Sequence, residues 1–130
     1  MPVTVNIYNK LGPRVGADFF ADLETEGIEY DSGKVWVTFT SDSLRGKGII
    51  IKKVKRLSRG RLLITSRRFI AVVGGHKLID VPKDSQYFRE LEIDRSNPEQ
   101  LEIKVDLVKF PSKLEGVFRL VYKVDLAQVP

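Results

Sequence analysis

The residues of this chain best suited to chemistry are cations that lack nearby counter-charges. Between Ser43 and Ile79 stand eleven Lys and Arg and not one Asp or Glu. The other 93 residues hold eleven basic and seventeen acidic side chains, so the net charge of +5 is a +11 block set in a −6 remainder. Charge sorted in this way concerns fields and partners rather than fold, and it points to an anionic partner. Within the block Lys52, Lys53, Lys55, Arg56, Arg59 and Arg61 crowd one short stretch. Arg grips phosphate through a planar fork and Lys supplies a compact point charge. At about 1 kcal/mol per cation close to an anionic membrane, five or six of them would give adsorption that salt weakens. The plainer reading is a solvated strand edge where charge discourages aggregation.

Other chemistries find little material. The chain has no Cys and a single histidine, His76, beside Gly75. That set builds neither a metal site nor a catalytic triad, and His76 is expected to be an exposed turn residue. Gly46-Lys47-Gly48 lacks the spacing of a phosphate loop. Glu90, Glu92 and Asp94 alternate and should line one solvated strand face, while Asp80 and Asp84 have no evident partner chemistry. Arg68 is expected to pair with Asp80 or Glu90 across a sheet. Tyr30 and Trp36 would suit a ligand mouth, but in a small β domain they are expected in the core. Neither an enzyme, a metal site nor a cofactor is predicted. Nucleic acid meets the electrostatic criterion, with a sequence pI of 9.5. It fails the stacking criterion, because Phe69 and His76 are the only rings inside the block and Phe69 reads as core.

The elements that must position these cations read mostly with period two. Val35, Val37 and Phe39 alternate with Trp36 and Thr38; Leu101, Ile103 and Val105 alternate with Glu102 and Lys104; Phe118, Leu120 and Tyr122 alternate with Arg119 and Val121. Such alternation marks a strand with one buried face. Strands are predicted over 48–55, 60–66, 68–73, 76–81, 87–93, 100–108 and 117–126, with Val35–Thr40 in addition and Val3–Ile7 as a further edge strand. Ser66-Arg67 and Gly74-Gly75 are two-residue hairpin loops, and Gly-Gly supplies the positive φ of a type I′ turn. On these boundaries the basic stretch Lys52–Arg61 is itself a hairpin. A helix is predicted over Val15–Glu24, with Phe19, Phe20 and Leu23 on one side. The fold class is mainly β, a small antiparallel barrel or two packed sheets with one short N-terminal helix and no clear C-terminal helix. One domain is expected over 1–130, with a core of about 34–126 and an N-terminal extension of 1–33. The absence of Cys, of a signal peptide and of any membrane-length apolar run predicts a soluble cytoplasmic protein, with peripheral contact at the inner membrane face as an option.

The stretch Gly60-Arg61-Leu62-Leu63-Ile64-Thr65-Ser66-Arg67-Arg68-Phe69-Ile70-Ala71 resembles the second and third strands of GRAM and bacterial pleckstrin-homology-like domains, whose pattern is G-x-L-x-[IL]-T-x-x-R-[FILV]. Lys77-Leu78-Ile79-Asp80-Val81-Pro82 is similar to a following strand of that family, and the resemblance covers roughly Gly48 to Asp106. It implies a pleckstrin-homology-like barrel and a phosphate grip formed by Lys53 or Lys55 with Arg59-Gly60-Arg61. Lys53, Lys55, Arg56, Arg59 and Arg61 are therefore the expected contacts to anionic phospholipid headgroups. Bacterial proteins of this kind also serve as adaptor or homo-oligomeric assembly modules, which makes a protein partner the alternative. The pattern departs from the family where a C-terminal helix should plug one mouth of the barrel. Either that plug is missing, or the Val15–Glu24 helix covers the mouth from the other end.

Overall fold

The alternating segments of the sequence become antiparallel strands in the computed structural model, which describes residues 7–46 and 48–130. The chain runs α1 (Ile7–Leu11), α2 (Ala17–Glu24), β1 (Ile28–Asp31), β2 (Val35–Ser41), β3 (Leu44–Gly46), β4 (Ile49–Ile51), β5 (Val54–Thr65), β6 (Arg68–Val73), β7 (His76–Pro82), α3 (Gln86–Glu90), β8 (Glu92–Asp94), β9 (Gln100–Asp106), β10 (Leu114–Glu115) and β11 (Val117–Lys123). The expected edge strand over Val3–Ile7 lies outside the described residues except for Ile7, which opens α1. Lys47 also lies outside them.

The main sheet has the order β7-β6-β5-β2-β11-β9-β8, with β1 pairing β5 beside β2. It curls into a half-barrel in which the β2–β11 pair joins the two halves of the path, while β7 and β8 at its ends do not pair with each other. A small sheet, β10-β3-β4, has its own ladders but buries Leu44 and Leu114 in the same core. The mainly β architecture expected from the sequence is what forms.

Inward alternation fills the half-barrel. Val37 and Phe39, Leu62 and Ile64, Ile103 and Val105, and Phe118, Leu120 and Tyr122 are all buried. Phe39 stacks on Phe118 with ring centroids 5.6 Å apart. The Tyr122 hydroxyl donates to the Val72 carbonyl at 2.8 Å. Burial pushes that phenol well above its usual pKa, so it remains a donor.

Gly60 is where this packing is tightest. It belongs to two of the three ladders of β5, opposite Val35 on β2 and Val73 on β6. A Cβ there would stand 2.5 Å from the Val72 carbonyl oxygen and 2.7 Å from Val37 Cγ1. The glycine therefore serves a close approach and does not make a turn. This overturns the hairpin expected over Lys52–Arg61, since β5 is one continuous twelve-residue strand. The first predicted strand, 48–55, divides into β4 and the start of β5, separated by Lys52 and Lys53.

Polar caps account for the other departures. The strand expected over 87–93 is replaced by α3 and the short β8, because the Ser85 hydroxyl accepts from the Phe88 amide and starts a helical turn. Asp106 and Asp125 each accept an amide two residues on, ending β9 and β11 in 3-10 turns before residues 108 and 126. The Gly74-Gly75 loop has φ of +57° and +79°, as a type I′ hairpin requires.

The two N-terminal helices do different work. Helix α2 lies on the outer face of the sheet, where Leu23, Leu63, Ile70 and Val72 form a second buried cluster with Phe19 and Phe20 packed against it. Of the two alternatives left open by the sequence, a covering helix is therefore not what forms. Tyr8 of α1 enters the core instead: its ring meets Phe39 edge-on at 5.3 Å and its hydroxyl lies 2.6 Å from Ser58 Oγ.

Gly60→Ala is expected to destabilise the protein by about 1–3 kcal/mol through overpacking. Urea denaturation checks this, and an unchanged midpoint would show that the sheet does not need its close approach there.

Candidate functional site

Alternation along β5 distributes the predicted cations between two faces. Lys55, Leu57, Arg59 and Arg61 point outward, whereas Arg56, Ser58 and Leu62 point inward. Arg56 pairs in register with buried Phe39, so it is half-buried on the concave side. Lys52 and Lys53 sit exposed in the link that precedes β5. The five expected contacts are thus not one cluster. The structure joins Lys55 and Arg59 on one face, leaves Lys53 at its approach and sends Arg56 to the other side.

Arg61 faces outward but is already engaged. Its Nε donates to Asp31 Oδ1 at 2.8 Å, a second bond reaches Oδ2, and its guanidinium carbon lies 4.5 Å from the Phe20 ring centroid. The hydrogen bond from Arg61 holds the Asp31 carboxyl below its usual pKa. Arg68 is engaged more fully still, by Glu26 and by Asp80, with Nη1 to Oδ2 of Asp80 at 2.8 Å. The Lys77 ammonium shares that Asp80 oxygen at 2.8 Å. Hydrogen bonding from Arg68 lowers the Glu26 pKa. Of the two partners expected for Arg68, Asp80 is the one it meets; Glu90 faces Lys109 at 3.6 Å instead.

What remains is a bare patch on the outer face of β5, β2 and β11. Register places Lys55 beside Thr40, Leu57 beside Thr38 and Arg59 beside Trp36. On the other side of β2, Arg119 lies beside Thr40 and Val121 beside Thr38, with Lys123 at the next outward position. These nine side chains make a three-by-three grid about 10 Å across and about 14 Å along. Cations occupy its four corners, no position holds a carboxylate, and Leu57, Thr38 and Val121 run through the middle. Trp36 is 45% exposed and Leu57 65% exposed. The Arg59 guanidinium carbon stands 4.0 Å from the Trp36 ring centroid, an arrangement worth about 0.5–1 kcal/mol at an exposed site. Acidic side chains begin beyond this grid, with Glu102 beside Val121 on β9 and with Glu92 and Asp94 on β8. Glu90 lies in α3, so it does not share the solvated strand face expected for all three.

Two readings of single residues are corrected. Trp36 lies outside the core because it shares the outward parity of Thr38 and Thr40. His76 is buried, with its Nδ1 3.1 Å from the Gly12 carbonyl oxygen, because α1 folds over the start of β7. Arg119 and Lys123, which the basic block did not contain, complete the patch. Their signal was the outward half of the alternation in 117–123, which becomes meaningful once β11 is known to neighbour β2. Family models, curated proteins and solved structures give no match to this chain. Among the described residues no helix is long and apolar enough to cross a membrane.

The Asp31 and Glu26 carboxyls both titrate lower in the folded chain than in the unfolded one. Their ion pairs therefore stabilise fully above an unfolded pKa of about 4, and the contribution is lost as pH falls through the lower folded values. Arg61→Met is expected to remove about 1 kcal/mol or less at neutral pH and to shrink the loss on acidification. Urea midpoints of both proteins at neutral and acidic pH check this; an identical acid loss in the variant would rule out the Asp31 pair as its source.

Proposed function

We propose that this chain is a binding domain, not an enzyme, that lays the β5–β2–β11 outer face against anionic phospholipid headgroups. The observation that carries this reading is the acid-free grid with a cation at each corner and exposed Trp36 and Leu57 between them. Cations attract the phosphates, while an indole at the rim suits the boundary between headgroups and acyl chains. The resemblance of Gly60–Ala71 to GRAM and pleckstrin-homology-like domains supports the same ligand class. The contact set differs from the one that resemblance implies: Lys55, Arg59, Arg119 and Lys123 contact the surface, Lys53 assists, and Arg56 and Arg61 do not. Cytoplasmic leaflets carry the anionic lipid that such a face requires, so the reading places the domain at an inner membrane surface. A single-stranded nucleic acid fits less well, because stacking wants successive open rings and the grid offers one, with a guanidinium against it.

Co-sedimentation with vesicles of phosphatidylcholine, alone or mixed with phosphatidylserine, tests this. Pelleting is expected only with phosphatidylserine, and moderate salt should weaken it. Lys55→Glu with Arg59→Glu should reduce binding about tenfold or more, whereas Arg61→Ala should change it little. No pelleting at low salt would end the lipid reading. A gel shift with single-stranded oligonucleotide, lost on the same double change, would transfer the face to nucleic acid.

A further inference from the structure

Strand β5 uses its two edges unequally. On one side β2 pairs it from Val54 to Gly60. On the other, β6 pairs it only from Gly60 to Ile64. The bond that ends the second ladder runs from the Gly74 amide to the Arg59 carbonyl at 2.8 Å. In antiparallel pairing, successive residues direct their backbone groups to opposite edges. Arg59 directs its carbonyl to the β6 side. Leu62 directs both groups to the opposite side, where the Ser32 amide and hydroxyl take them at 3.0 and 2.8 Å. Neither ladder of β5 with β2 or β6 has a register shift, so the parity carries through the strand. Lys55 and Leu57 consequently aim both N–H and C=O at an edge that extends beyond the Gly74-Gly75 turn. Among the described residues, nothing bonds to that edge.

The side chains along it define an occupant. On the outer face Leu57, 65% exposed, stands between Lys55 and Arg59; on the inner face lies Arg56. None of these three cations has a carboxylate within ion-pair distance among the described residues. We propose that this edge accepts an extended acidic segment of a partner protein by strand addition. Its apolar residue lies opposite Leu57, and carboxylates lie opposite Lys55, Arg56 and Arg59. A second copy of β5 is a poor occupant, since two such edges set like charges against one another. The charge that repels a like edge attracts an acidic one, and an exposed leucine at its centre does nothing to repel. This inference concerns the edge of β5 and does not rest on the lipid reading of its outer face.

The test uses the full chain and a fluorescein-labelled probe, Thr-Thr-Glu-Thr-Val-Glu-Glu-Thr-Thr, whose valine falls opposite Leu57 in antiparallel register. A control probe carries proline in place of valine and so lacks one bonding amide. Saturable binding is expected by fluorescence polarisation. The proline control and Arg56→Glu should each weaken it about tenfold or more, and Arg56→Gln by less. Hydrogen exchange should show the Lys55 and Leu57 amides open in the free protein and protected by the probe. Arg56→Glu should leave vesicle pelleting unchanged, which separates failure here from failure of the lipid reading. Absence of binding, equal binding of the proline probe, or protection elsewhere would overturn the proposal. So would concentration-dependent protection of those two amides without probe, because a second copy would then fill the edge.

Discussion

The constraint on which this molecule depends is the continuity of β5 through Gly60. One strand carries the ladder with β2 along its first half and those with β6 and β1 along its second, and Gly60 belongs to both the β2 and the β6 ladder. The sheet can turn from one ladder into the next because no side chain intervenes between β5, Val37 and the Val72 carbonyl. Continuity also fixes parity. With no turn inside Lys52–Arg61, the cations from Lys55 onward must alternate between outer and inner faces. Lys55, Arg59 and Arg61 go out, Arg56 goes in, and what is one cluster along the chain becomes two environments.

Coverage then decides which outward cations stay available. Helix α2 sits over the second half of β5 and over β6, burying Leu63, Ile70 and Val72 under Leu23. Its margin and the neighbouring β1 bring Phe20 and Asp31 to Arg61, while Glu26 and Asp80 absorb Arg68. The first half of β5 receives no such cover. There the outer face of three strands keeps Trp36, Leu57 and Val121 beside Lys55, Arg59, Arg119 and Lys123. The basic block thus contributes both structure and surface: ion pairs that fasten α2 and β1 to the sheet, and a residual positive patch.

Much of this was legible before the structure. The strands over 68–73 and 76–81, the Gly74-Gly75 turn, the helix near Ala17–Glu24 and the pairing of Arg68 with a carboxylate, Asp80 or Glu90, all follow from local pattern and charge. Ser58-Arg59-Gly60 misleads because Gly signals turns as strongly as close approaches, and only the β2 and β6 neighbours distinguish the two. The 87–93 segment misleads because Tyr87-Phe88 suits a strand, while the Ser85 hydroxyl outcompetes the ladder. The patch itself was half-legible. Its β5 members stood in the basic block, but Arg119 and Lys123 lie sixty residues further on, and nothing local says that β11 adjoins β2.

The chain contains one tryptophan, Trp36, and it stands at a corner-adjacent position of the proposed surface. Its fluorescence therefore reports on that face alone. Titration with phosphatidylserine-containing vesicles should shift the emission to the blue and shield the indole from a water-soluble quencher, with no change on vesicles of phosphatidylcholine. Binding to anionic vesicles that left the Trp36 emission and its quenching unaltered would contradict the account, because the protein would then be meeting the membrane with another surface.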